Sequence, residues 1–218
     1  MKINKILILV PLLITLTSCF DLKINLYIGE EIKVHNGNFI DLLTEKTNKK
    51  FNYSFSNKEF YMKNFYNNLE NEAIDLKSKK TIHTLLKKTK NIVFNIGNYE
   101  FLRFVDFNDY KFDFNEKVIS TNREMFEYYF LNTLESIKSY TDNIVVICPF
   151  SYLKLNKLLN DRYIKILNSY IDVVNNVCLD LSVKTKSIHF NDDDILGHTL
   201  LSNEGTLKII DYIKDDIR

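Results

Sequence analysis

The stretch INLYIGEEI, residues 24–32, begins with an apolar run, Ile24 to Ile28, and stops at Gly29, with Glu30 and Glu31 directly behind it. A short apolar segment bounded by a glycine reads as a buried strand. Two adjacent carboxylates do not extend such a strand into a core, so Glu30 and Glu31 mark its end. Runs of the same kind recur at NIVFNIG, 91–97, and at NIVVICP, 143–149, where Pro149 closes the strand.

Helical spacing fills the intervals. Residues 37–48 place Phe39, Ile40 and Leu43 on one face, and residues 121–140 do the same with Phe126, Phe130, Leu134 and Ile137. Residues 161–178 carry Ile164, Leu167, Ile171 and Val174, and a final helix over about 204–217 carries Leu207, Ile210, Ile213 and Ile217. FNYSFS, 51–56, alternates apolar and polar residues as a strand nearer a sheet edge does, two helical stretches fit within about 58–89, and LDLSV, 179–183, reads as a weak last strand. Strand alternating with helix predicts an α/β fold, a three-layer sandwich around a central parallel sheet. The expected strand order is 2-1-3-4-5, with strand 24–28 central. Such sheets set their sites at the carboxyl ends of the strands. The loops after Ile28, Ile96 and Cys148 and the segment before the last helix are therefore expected on one rim.

The first residues have a different character. Lys2 and Lys5 precede an apolar segment, Ile6 to Leu16, that is too short for a membrane-spanning helix. It ends in Leu16-Thr17-Ser18-Cys19, which resembles the bacterial lipobox. That resemblance implies a lipoprotein signal peptide over 1–18 and a Cys19 carrying diacylglycerol and an amide-linked acyl chain such as palmitate. It also implies an extracytoplasmic protein whose partner is the lipid bilayer. Residues 19–23 would form a tether, and 24–218 the folded domain. Four residues, Phe20 to Lys23, span roughly 13–14 Å when extended, which holds the domain close to the membrane.

Composition narrows the function classes. Lys and Arg number 29 against 28 Asp and Glu, so no overall basic excess points to nucleic acid. Five glycines and two prolines leave little room for flexible low-complexity segments. Cys148 and Cys178 read as small core residues, and a disulfide between them is possible outside the cytoplasm. No Cys/His spacing suggests a metal, and no cofactor motif is found. His35, His83 and His189 read as surface or satisfied histidines. Phe51, Tyr53, Phe55, Phe60, Tyr61, Phe65 and Tyr66 read as core, or in part as an exposed aromatic patch.

The order of elements, with YIGEEI (27–32), FNIGNYEF (94–101), IVVICP (144–149) and DDDILGHTLLSNEGTLKIIDYI (192–213), resembles the SGNH, or GDSL-like, hydrolases. These are serine esterases and acyl hydrolases with a flavodoxin-like sheet. The resemblance puts Gly29 at the glycine of the first block and Glu31 at the nucleophilic serine. It sets Gly97 at the glycine of the third block and Tyr99 where the oxyanion-hole asparagine belongs. Counted back from Gly205 without a gap, Leu200 falls at the catalytic histidine. His198 stands two residues away, with Asp194 as the corresponding acid. A serine ester intermediate needs a hydroxyl nucleophile, a base and preorganised N–H donors. A carboxylate at residue 31 supplies none of these.

The resemblance therefore implies a hydrolase-like domain without serine-ester hydrolysis, which binds an envelope protein or glycan. Two alternatives stay open: a divergent esterase or acyl hydrolase of envelope lipid or polysaccharide esters that uses His198, and a purely structural lipoprotein. Glu30, Glu31, Glu100, Asp192, Asp193, Asp194 and His198 could also meet on one rim for acid–base work or to hold a hard cation.

Overall fold

The computed structural model describes residues 23–57, 60–75, 79–102, 104, 115–150, 161–197 and 200–217. β1 (Ile24–Glu30) is buried along its whole length, which requires a neighbour on each edge and cover on each face. It pairs in parallel with β3 (Phe51–Asn57) on one side and β4 (Thr89–Asn95) on the other. β5 (Ile144–Ile147) joins β4, and β6 (Lys184–Lys186) joins β5, both in parallel. The sheet order is β3-β1-β4-β5-β6. This is the expected 2-1-3-4-5 order, with one refinement: β4 occupies the centre and β1 lies beside it.

The helices run back between strands. Asn38 caps α1 (Phe39–Thr47) by accepting from the Ile40 N–H at 2.8 Å, and Asn48 ends it in a left-handed conformation. α2 (Met62–Glu70) and α3 (Ile82–Lys87) link β3 to β4. The short α4 (Asn98–Leu102) follows β4. α5 (Glu116–Lys138) turns Ile119, Phe126, Phe130, Thr133, Leu134 and Ile137 to the core. α6 (Asp161–Asp180) packs on α5, which packs on α2. α1 packs instead on the last helix, α7 (Asn203–Ile213). The sheet thus lies between two helical layers, as a three-layer α/β sandwich.

Three details depart from the expectation. α6 continues to Asp180, because Tyr170, Val174 and Val177 keep its buried stripe going; Ser182 in a left-handed conformation ends it, and the strand expected at 179–183 forms at 184–186. The core face of α6 is centred on Tyr163, Leu167 and Tyr170, which leaves Ile164 39% exposed. A second small sheet was not anticipated: β2 (Lys33–Val34) pairs in parallel with β8 (Leu200–Leu201), which pairs antiparallel with β7 (Ile195–Gly197). It ties the loop after β1 to the segment before α7. Among the described residues no helix is long and apolar enough to cross a membrane.

The aromatic residues around 51–66 divide between core and rim. Phe51, Phe60 and Phe65 are buried, whereas Tyr61 and Tyr66 are half-buried; the side chains of Tyr53 and Phe55 lie outside the described residues. His83 is satisfied on both ring nitrogens, by the Tyr140 hydroxyl at 2.6 Å and the Leu69 carbonyl at 2.9 Å. Cys148 and Cys178 are buried free thiols, both raised by desolvation, Cys148 to about 11.

Gly29 sets the spacing of the sheet. Its φ is +124°, and a Cβ there would sit 1.8 Å from the Asn95 carbonyl oxygen. That backbone atom cannot move without parting β1 from β4. Gly29→Ala should therefore destabilise the protein by more than about 2 kcal/mol in urea unfolding. A variant of unchanged midpoint would show that the two strands do not meet this closely.

Candidate active-site rim

All five parallel strands end on one edge, and the residues that follow them meet there. The Tyr27 hydroxyl donates to the Glu30 carbonyl at 2.5 Å. Asn95, fully buried at the end of β4, donates its amide to the same carbonyl at 3.1 Å and to the Tyr27 hydroxyl at 3.1 Å. Together these bonds fix how β1 leaves the sheet.

The acidic side chains on this rim hold structure together. Glu30 is buried, and its Oε1 accepts the Tyr99 N–H at 2.8 Å, at the start of α4. Glu100 is buried as well, and its Oε1 accepts the Met62 N–H at 2.8 Å, in the first turn of α2. A carboxylate suits these positions because the first N–H groups of a helix have no partner within it. Asp194 accepts from the Asn191 N–H at 2.7 Å and pairs with Lys208 at 3.0 Å. It closes a capping box on its own 3₁₀ turn (Asp192–Asp194). α7 packs directly onto this turn, since a Cβ at Gly205 would come within 2.3 Å of the Asp194 carbonyl oxygen. Ser202 caps α7 by accepting from the Gly205 N–H at 3.1 Å.

The residues expected to form a site are thus placed as follows. Glu31 stands just beyond β1 and is exposed. Tyr99 is half-buried, with its ring edge-on to Tyr61 at 4.9 Å between centroids. Asp194 lies across the rim, joined to the β1 side through the small sheet. Asp192 and Asp193 are exposed. His198 lies outside the described residues. The amino-acid sequence pointed to Glu30 and Glu31 together, with Glu31 at the serine position, and did not single out Asn98 or Lys208. Asn98 is fully buried and accepts the Phe150 N–H at 2.8 Å, tying α4 to the loop after β5. The signal available was the polar character of Asn95 and Asn98 inside an otherwise apolar run.

This strand order and these rim elements match solved structures. An acetyl xylan esterase, AlAXEase, superposes with a TM-score of 0.63 at 12% identity, covering 89% of this chain and 100% of its own. The fold is that of the SGNH hydrolases. A GDSL-like lipase from Bacteroides thetaiotaomicron matches with a TM-score of 0.57 at 11% identity, over 89% of this chain and 87% of that one. An acetylxylan esterase from Geobacillus stearothermophilus matches with a TM-score of 0.56 at 10% identity, over 91% and 96%. At the level of sequence, no family model and no curated protein matches.

Within the SGNH-like frame two clefts flank the rim. One, of about 390 Å³, lies between α6 and the ends of β5 and β6, and is lined largely by Phe150, Tyr163, Leu167, His189 and Phe190. The other, of about 250 Å³, lies between α2 and α5, with Glu100, Asn64, Asn122 and the rings of Tyr61 and Tyr129. Among the described residues no group of three or more His, Cys, Asp or Glu side chains could hold a metal ion.

Burial pushes Glu30 up to about 8; the Tyr99 N–H and Asn98 pull it down, and the nearby Glu100 adds to the rise. The folded state then keeps a proton that the unfolded chain releases above its ordinary value of 4.5. The contribution of Glu30 to stability is therefore full below pH 4.5 and is lost as pH rises towards 8, by up to about 1.4 kcal/mol per unit. Glu30→Gln keeps an acceptor for Tyr99 and removes the titration. Its unfolding free energy should be flatter than that of the parent between these limits, and higher than the parent's at the upper one. Parallel pH profiles of the two proteins would refute the assignment.

Proposed function

We propose that this chain is a lipid-anchored extracytoplasmic protein whose SGNH-like domain does not hydrolyse serine esters and instead binds a protein or glycan of the cell envelope. The observation that carries this reading is the pair at the end of β1. Glu31, which the sequence resemblance sets at the family's serine position, is exposed, and Oε1 of Glu30 takes the Tyr99 N–H. Acyl transfer at this place would need a hydroxyl nucleophile and N–H groups free to meet a developing oxyanion. A negative side chain opposes that oxyanion. The half-buried tyrosines and the amide side chains at the α2–α5 cleft are the surface chemistry by which proteins meet sugars and peptides.

The esterase activity of the proteins that share the fold favours a second reading, a divergent hydrolase of envelope esters with its base at His198. Labelling with a fluorophosphonate separates the two. The purified protein should remain unlabelled and should not turn over p-nitrophenyl acetate. Glu31→Ala should change stability by less than about 0.5 kcal/mol, as an exposed residue does. Rapid labelling of any serine, abolished by His198→Ala, would establish the hydrolase instead.

The anchor has its own test. Cys19→Ala should eliminate incorporation of radioactive palmitate and move the protein out of the membrane fraction. Palmitate retained in that variant would remove the lipoprotein assignment.

A further inference from the structure

The near-neutral chain is not neutral in its parts. Because the five strands are parallel, their amino ends form a second edge, opposite the rim and roughly 20 Å from it across the seven residues of β1. Under β3, β1 and β4 this edge is lined with lysines. Lys50 precedes β3, and its carbonyl accepts the Asn25 side chain at 2.8 Å. Lys23 precedes β1. The Lys88 carbonyl accepts the Ile24 N–H at 2.8 Å, and Lys90 follows on β4. Lys46 and Lys87 lie in the last turns of α1 and α3, which come down to the same edge. Lys49 reaches the Ile217 carbonyl. Among the described residues the acids near this sector include Glu45, 3.9 Å from Lys46, Asp142 ahead of β5, and exposed Asp215, two residues from the Ile217 that Lys49 reaches.

Elsewhere on the same edge the charges cancel. Lys184 and Lys186 pair with Asp216 at 2.7 and 2.6 Å, and Lys214 pairs with Asp211 at 2.7 Å. The α2–α3 connection carries Glu70, Glu72 and Asp75 against Lys79 and Lys80. The opposite rim exposes Glu31, Asp192 and Asp193 together with Lys117 and Lys165; Glu30 and Glu100 are buried there, and Asp194 pairs with Lys208. An excess of exposed lysine is thus concentrated under β3, β1 and β4, although the totals of the chain nearly balance.

We infer that the lysine edge under β3, β1 and β4 is a docking surface for an anionic phospholipid bilayer, and that it turns the rim away from the membrane. Charge complementarity is one ground. Chain continuity is the other: Lys23 stands in this sector, and the chain leads from it to Cys19 in four residues. That second ground rests on the lipid-anchor reading; the lysine cluster does not. Lys23, Lys46, Lys50, Lys87 and Lys90 are exposed, as headgroup contact requires. Each lysine at an anionic surface strengthens attachment about fivefold, and salt screens the effect.

The purified full-length protein, added to vesicles of phosphatidylglycerol with phosphatidylethanolamine, should lose reactivity towards an amine-modifying reagent at Lys23, Lys50, Lys87 and Lys90, read by mass spectrometry. Lys117 and Lys165, near the starts of α5 and α6 at the rim, should react as they do with phosphatidylcholine vesicles. High salt should abolish the protection. Replacing the four lysines by glutamine should weaken flotation with anionic vesicles by about a hundredfold or more, with no effect on neutral ones. Equal modification on both vesicle types, or protection that covers Lys117 and Lys165 equally, would overturn the inference. Flotation with neutral vesicles reports the acyl anchor alone. Its absence, alongside lysine protection on anionic vesicles, would discard the anchor and leave the docking edge standing.

Discussion

The closeness of two backbones, β1 at Gly29 and β4 at Asn95, is the constraint on which the rest of the rim depends. Without a side chain at Gly29 the strands run together to their ends, and the polar groups that follow are forced into one small volume. The Asn95 amide N–H groups, the Tyr27 hydroxyl and the Glu30 carbonyl hydrogen-bond to one another there. The Glu30 side chain is then turned inward to meet the first N–H groups of α4. From α4 the connection passes through Glu100 to the start of α2, and through Asn98 to the loop after β5. A buried carboxylate is costly unless hydrogen bonds compensate it, and here each one finds a helix start that lacks acceptors.

This division of labour bears on function. In a hydrolase the polar groups of such a rim must stay available to a substrate, and some must change protonation during turnover. Here Glu30, Glu100 and Asp194 are committed to caps and an ion pair. What faces solvent among the described residues includes Glu31, Asp192, Asp193, the edges of tyrosine rings and two clefts.

Much of the architecture was legible in the amino-acid sequence because β1, β4 and β5 are buried on both faces and so read as continuous apolar runs. The helices α1, α5 and α7 were legible from their stripes, and Gly29, Gly97 and Gly205 marked places where packing leaves no space for a Cβ. β6 was expected a few residues too early, at 179–183, because its three residues, Lys184 to Lys186, sit at a sheet edge and carry no apolar signal. β2, β7 and β8 are two or three residues long, below what periodicity can resolve. The inward turn of Glu30 and the outward turn of Glu31 could not be told apart, because adjacent identical residues differ only in which side of the strand they face. The cap made by Glu100 and the ion pair made by Asp194 depend on partners 38 and 14 positions away.

The small sheet also has a bearing on when this protein can finish folding. Lys33 and Val34 find their strand partner only at Leu200 and Leu201, and Lys49 meets the backbone of Ile217 at the far end of the chain. Contacts of such sequence separation form late, since closing so long a loop costs entropy that only the completed core repays. A chain delivered from its amino end would therefore emerge with β1, β3 and β4 able to pair, while the loop after β1 still lacked its partner. The rim would be completed only once residues 195–201 had arrived. Truncation before Ile195 would take away β7 and β8 and leave Lys33 and Val34 without the strand they pair with.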